Sequence, residues 1–223
     1  FHLSYSDASL REGTAFIVQP TTDFDYIYDY DPLGLVTYCG NDSTTGWFAN
    51  IFTAGSGRAK AGPQENLGAV SFYTNDFDCA YEIYVYTGVT AGDPDSGTLA
   101  AGPITGTLPY PGYHRVAISP TVAITNGQRF SVVVRVTTSV FKFPIPYEVA
   151  NIANRTQKAT ANPGESFYSW NGTTWSDMTM IDATANVCLK AFTTSSTVTP
   201  TPTPTTTVTP TVTHAPTVTG GGS

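Results

Sequence analysis

Along residues 23–32, DFDYIYDYDP, apolar and polar side chains alternate almost without a break. Phe24, Tyr26, Tyr28 and Tyr30 share one parity. Asp23, Asp25, Asp29 and Asp31 share the other, with Ile27 between them. A period of two belongs to a β-strand, whose successive side chains point to opposite faces. The stretch therefore predicts an amphipathic strand with a buried aromatic face and a wet acidic one.

The same alternation recurs downstream. YEIYVYT (81–87) sets Tyr81, Ile83 and Val85 against Glu82, Tyr84 and Tyr86. RFSVVVRV (129–136) sets Phe130, Val132, Val134 and Val136 inward, with Arg129, Ser131, Val133 and Arg135 outward. VSFYT (70–74), HRVAIS (114–119) and NVCLKAFT (186–193) are further strands. TNGQ (125–128) and the Asn171-Gly172 step inside YSWNGTTWS (168–176) are turn signals. No segment sustains a 3.6-residue period. Many short strands separated by Gly, Pro and Asn turns predict an all-β chain, an antiparallel β-sandwich of jelly-roll type. Trp47, in GWFANIFTA, is expected in its core.

The pattern stops at Thr194. From there the chain is almost wholly Thr, Pro and Val, which reads as an extended stalk able to bury no core of its own. Residues 14–193 are then the sandwich and 194–223 the stalk. At the other end FHLSY alternates Phe1, Leu3 and Tyr5 without a neighbour, so residues 1–13 read as the remnant of an upstream domain. Composition agrees with strands over helices: 13% of residues are aromatic and only 12% charged. The net charge of −7, with scattered Lys and Arg, argues against a nucleic-acid partner. No apolar run is long enough to span a bilayer. Low charge, abundant Thr and sequons at Asn41, Asn154 and Asn171 point to an extracellular or cell-surface setting and a glycoprotein.

Two chemistries compete for the polar residues. The first is Ca²⁺ binding by loop carboxylates. Alternate residues on a strand stand about 6.8 Å apart, too far to share an ion unless the backbone curls. Asp76, Asp78, Asp93 and Asp95, in turn-rich NDFD and GDPDSG, are the first candidates, with Asp29 and Asp31 in reserve. The second is a sugar-binding platform, which needs exposed rings beside polar groups. Tyr110 and Tyr113 in LPYPGYH, and Trp170 and Trp175 flanking the hairpin turn, are its candidates, the two Trp rings stacking across that turn. Of the three cysteines, Cys39 and Cys79 are either a disulfide pair or, with Cys188, free thiols. No CxxC pair offers a zinc site. His114, the one histidine inside the predicted domain, reads as a strand-start residue.

Taken in order, IYDYDPLGLV, GWFANIFTA, AVSFYT, YEIYVYTGV, GYHRVAIS, GQRFSVVVRV, KATANPGESFYS and NVCLKAFT resemble the lectin-like domain of archaeal and bacterial surface proteins. The resemblance covers residues 14–193. In that family the domain follows a papain-like cysteine peptidase, and FHLSY is similar to the last strand of such a peptidase. The implied role is non-catalytic: a module binding glycan or cell-envelope polymer and positioning an upstream peptidase. The alternative is a spacer that packs on the peptidase with no ligand. No catalytic residue carries over, since Cys39 in TYCGND lacks the sequence context of the papain-like nucleophile.

Overall fold

The computed structural model describes residues 23–56, 62–151, 153 and 156–195. The predicted remnant at 1–13, Asn154 and the stalk beyond Ser195 lie outside them. The described residues form thirteen strands: β1 (Tyr26–Tyr28), β2 (Thr37–Cys39), β3 (Thr45–Thr53), β4 (Gln64–Thr74), β5 (Cys79–Thr87), β6 (Thr98–Leu108), β7 (Gly112–Thr125), β8 (Arg129–Thr137), β9 (Ile145–Glu148), β10 (Ser166–Ser169), β11 (Ser176–Asp177), β12 (Asn186–Val187) and β13 (Leu189–Ser195). A 3₁₀ turn, Met178–Met180, lies between β11 and β12.

Two antiparallel sheets face each other, as the alternation predicts. One runs β1-β13-β4-β7 and the other β11-β10-β3-β8-β5-β6. A small third sheet, β12-β9-β2, brings Ile145 and Val187 into the same core. From the six-stranded sheet Phe48, Phe52, Ile83, Val85, Phe130, Val132 and Val134 point inward. They meet Leu67, Val70, Phe72, Leu189 and Ala191 of the four-stranded sheet. Burying each of these side chains contributes about 1.5–3 kcal/mol against the entropy of ordering the chain.

Asn50 and Glu65 are buried polar residues whose hydrogen bonds are met inside the core, as low-dielectric surroundings require. Asn50 Nδ2 donates to the Leu189 carbonyl at 2.8 Å, tying the two sheets together. Its Oδ1 accepts from Ser166 Oγ at 2.6 Å. The Glu65 carboxylate accepts from Tyr28 at 2.9 Å and from Thr193 Oγ1 at 2.6 Å.

The aromatic/acidic stretch behaves as predicted up to Tyr30. Asp23, Asp25, Ile27 and Asp29 are exposed, and Phe24, Tyr26, Tyr28 and Tyr30 turn toward the sandwich. Asp31 departs from the pattern and is fully buried. The chain turns after it, and Lys190 of β13 reaches in to form an ion pair at 3.0 Å, while also pairing with exposed Asp29 at 2.8 Å. Burial pushes the Asp31 carboxyl up to about 6 against the opposing pull of Lys190.

Candidate functional site

The six-stranded sheet has a second populated face, turned away from the core. Strand register sets out its side chains in lines. Ser169, Trp47, Arg135, Glu82 and Thr105 stand opposite one another across β10, β3, β8, β5 and β6. The next line on the same face is Phe167, Ala49, Val133 and Tyr84. The third is Ile51, Ser131 and Tyr86. Ala49, Ile51, Val133, Phe167 and the loop residue Val89 form a small buried cluster of their own. Trp47, Tyr84, Tyr86 and Trp175 pack on it, partly exposed.

Geometry joins these residues into a strip. The Trp47 and Tyr84 rings stack at 6.0 Å and 27°. The Arg135 guanidinium lies 5.5 Å from the Trp47 ring centroid, within cation–π range. Arg135 Nη1 donates to Glu82 Oε1 at 2.5 Å, and the Tyr84 hydroxyl donates to Glu82 Oε2 at 2.7 Å. Burial, and then the Glu82 hydrogen bond, raise the Tyr84 phenol to about 12, so it remains a neutral donor at physiological pH. Glu82, Tyr84 and Tyr86 follow at alternate positions of β5, a run of about 14 Å. Beside the charged end lies a hollow of 150 Å³ lined by Ala80, Glu82, Thr105, Gly106, Arg135 and Thr137.

Two loops frame the strip. At one end the hairpin between β10 and β11 lies over Trp47. Its Gly172 has φ +75° and approaches so closely that a Cβ there would sit 2.6 Å from Trp47 Cε2. Conformation and space thus both demand glycine at the Asn171-Gly172 turn. At the other end the 88–97 loop folds back, and Ser131 Oγ donates to the Pro94 carbonyl. A larger hollow, 470 Å³, lies between β6 and β7 near Pro103, Ile104, Pro120 and Val122, and no charged side chain lines it. Orienting polar groups converge on the strip instead, which makes the strip the better candidate.

The sequence-predicted residues are dispersed. Tyr110 and Tyr113 are exposed, 67% and 48%, at the β6–β7 connection. Tyr113, in the four-stranded sheet, packs tilted at 55° on Tyr73 at 5.0 Å and donates to Ser71 Oγ at 2.7 Å, while Tyr110 meets Phe77 at 6.3 Å. Trp170 pairs with Tyr168 at 5.1 Å. Trp175 packs into the outer cluster, so the two tryptophans do not stack across their hairpin as expected. Of the four, only Trp175 belongs to the strip. Trp47, expected in the core, is its floor instead.

The four candidate calcium ligands fall at opposite ends of β5, about 30 Å apart. Asp76 accepts backbone N–H groups from Val140 (2.8 Å), Phe141 (3.1 Å) and Phe77 (2.9 Å), which hold its carboxyl below the usual range. Asp78 stands in the same turn at φ +49°. Asp93 shares a hydrogen bond with Asp95, which raises the Asp93 pKa. Among the described residues no group of three or more His, Cys, Asp or Glu gathers as a metal site. Asn41 and Asn171 are exposed, and Asn171 Oδ1 accepts from Thr173 and Thr174 N–H in its turn. Cys39, Cys79 and Cys188 are free thiols, which decides against the Cys39–Cys79 disulfide. His114 lies in β7 with Nε2 2.9 Å from the Tyr110 carbonyl.

The strip was foreshadowed by the parity of Glu82, Tyr84 and Tyr86. Arg135 shared that outward parity, but Trp47 carried no such signal, and only strand order places β3, β8 and β5 side by side.

Known proteins share this architecture. The lectin-like domain family matches residues 27–193, and the chain belongs to that family. Among solved structures, the clostridial cysteine protease Cwp84 after propeptide cleavage superposes with a TM-score of 0.63. It is 23% identical and aligns over 80% of this chain and 42% of its own. The cysteine protease and lectin-like domains of Cwp84, a surface layer associated protein of Clostridium difficile, give a TM-score of 0.54 and 25% identity, over 69% of this chain and 33% of that one. The chain thus spans less than half the length of these neighbours, which join a lectin-like domain to a cysteine protease. No curated protein matches in sequence. No helix among the described residues is long and apolar enough to cross a membrane.

Proposed function

We propose that this domain is a non-catalytic module that binds glycan or cell-envelope polymer through the outer face of its six-stranded sheet. It thereby positions a papain-like peptidase carried upstream in the same parent chain, outside the cell. The observation that carries this reading is the Tyr84 ring, backed by Trp47 and flanked by the Glu82–Arg135 pair. A ring with an apolar face and fixed polar neighbours is the arrangement that takes a sugar, whose C–H face stacks while its hydroxyls find partners. The run from Glu82 to Tyr86 suits a short stretch of polymer better than a single small ligand. The non-catalytic role is supported by family membership and by the environment of the thiols. Burial drives Cys39 up to about 12 and raises Cys79 and Cys188, the reverse of what a thiolate nucleophile needs. The surface-layer association of one structural neighbour supports the extracellular setting.

One observation favours the spacer reading. Phe77, Tyr110, Val140, Phe141 and Phe143 are exposed at one end of the sandwich, where another domain could cover them. Co-sedimentation of the full chain with cell-envelope preparations separates the two. Saturable binding lost in Tyr84→Ala/Tyr86→Ala supports the ligand-binding role. No binding, or binding indifferent to that double substitution, leaves the spacer.

A further inference from the structure

Donors and acceptors at the charged end of the strip do not balance. Both Glu82 oxygens are engaged, one by Arg135 Nη1 and one by the Tyr84 hydroxyl. Arg135 is far from engaged. Among the described residues its hydrogen bond to Glu82 runs from Nη1 and not Nη2, and its Nε is buried without a partner. Thr105 of β6, directly opposite Glu82, lies exposed on the hollow's rim. The carboxylate is thus consumed within the protein, and the guanidinium is left in surplus beside an aromatic ring. With its side chain 36% accessible, Arg135 is within reach of a ligand.

We propose that the strip selects glycans bearing an oxyanion, a carboxylate or phosphate on or next to a sugar ring that stacks on Tyr84. Nη2 of Arg135 receives the oxyanion, Thr105 donates beside it, and Glu82 holds the guanidinium in place. The inference rests on the glycan-binding role above and narrows it to acidic polymers. The chain's net charge of −7 works against indiscriminate capture of polyanions, so any such binding reports a local site.

The test measures binding of the full chain to three soluble polymers: polygalacturonate for carboxylate, polyglycerol phosphate for phosphate, and dextran as the neutral reference. Tighter binding of either acidic polymer than of dextran, by about tenfold or more, is expected from one charge-assisted contact. The two acidic arms tell which oxyanion is preferred. Arg135→Gln should remove that preference, so that acidic and neutral polymers bind alike. Lys142→Gln, which removes an exposed cation paired with Asp42 away from the strip, should behave as wild type. Should Arg135→Gln fold poorly, Thr105→Val serves in its place, and loss of the donor beside the oxyanion should weaken acidic binding severalfold. Dextran bound as tightly as the acidic polymers, with loss on Tyr84→Ala, would keep the glycan role and overturn the charge selection. Acidic preference surviving Arg135→Gln would also overturn it, and no binding to any polymer would overturn both.

Discussion

Tyr84 donates its hydroxyl to Glu82 Oε2 at 2.7 Å, two residues back on the same face of β5. This bond ties the ring that would carry a ligand to the carboxylate that holds Arg135, so the strip is ordered before any ligand arrives. Preorganisation of this kind lowers the entropy cost of binding. Tyr84→Phe removes the bond and keeps the ring. It should lower stability by no more than about 1.5 kcal/mol, yet loosen Arg135 and weaken ligand binding. Tyr84→Ala should cost more affinity than stability. Urea midpoints and binding isotherms on both variants check the ordering.

Among the described residues, Lys190 is the one cation paired with the buried Asp31 carboxylate. Lys190→Met should destabilise the domain by about 3–5 kcal/mol at pH 7.5, because it strands an uncompensated buried charge. Asp31 has its folded pKa raised by burial to about 6, above the unfolded value. Its contribution to stability is therefore fully present below the unfolded pKa and lost as pH rises through about 6. Without Lys190 that loss deepens, so the variant should recover part of its stability at pH 5. Denaturation at both pH values measures it, and a deficit independent of pH would contradict the assignment.

Asp31 also marks a limit of what the sequence conveys. The alternation from Asp23 to Tyr30 is a local property and was readable. The burial of Asp31 depends on Lys190, 159 residues further on, and an Asp-Pro step by itself reads as an exposed turn. Trp47 was placed on the wrong face for a related reason. Its strand is buried on both sides, with Phe48 and Phe52 facing one core and Ala49 and Ile51 the other, so hydrophobicity does not alternate. Val133, predicted to face outward, does so, but onto that second cluster. The sandwich was legible because its strands repeat a local pattern. The strip was not, because it is assembled from β3, β5 and β8 by pairing.

Asp93 and Asp95 stand close enough for their carboxyls to share a hydrogen bond, which raises the Asp93 pKa. The contribution of Asp93 falls as pH rises through its folded pKa, the usual sign for a raised acid. Asp93→Asn should raise the melting midpoint at pH 7.5 and do little near pH 4. The same melts, repeated with EDTA and with millimolar Ca²⁺, test whether an ion serves this pair. A calcium-dependent rise lost in Asp93→Asn would place it there, and an unchanged midpoint would leave the two as turn residues.

The three thiols are free, and burial raises the pKa of each. Folded protein should react slowly with a thiol reagent at pH 8, and all three cysteines should titrate in denaturant without reductant. One thiol titrating in denaturant, with two more appearing after reduction, would contradict the free Cys39 and Cys79.

The central claim is that the outer face around Tyr84 binds glycan. A glycan array probed with the full chain, beside Tyr84→Ala/Tyr86→Ala of equal thermal stability, tests it most directly. A defined set of bound glycans is expected for the wild type, with loss of that set in the double variant. An empty array, or the same set bound by both proteins, would contradict it.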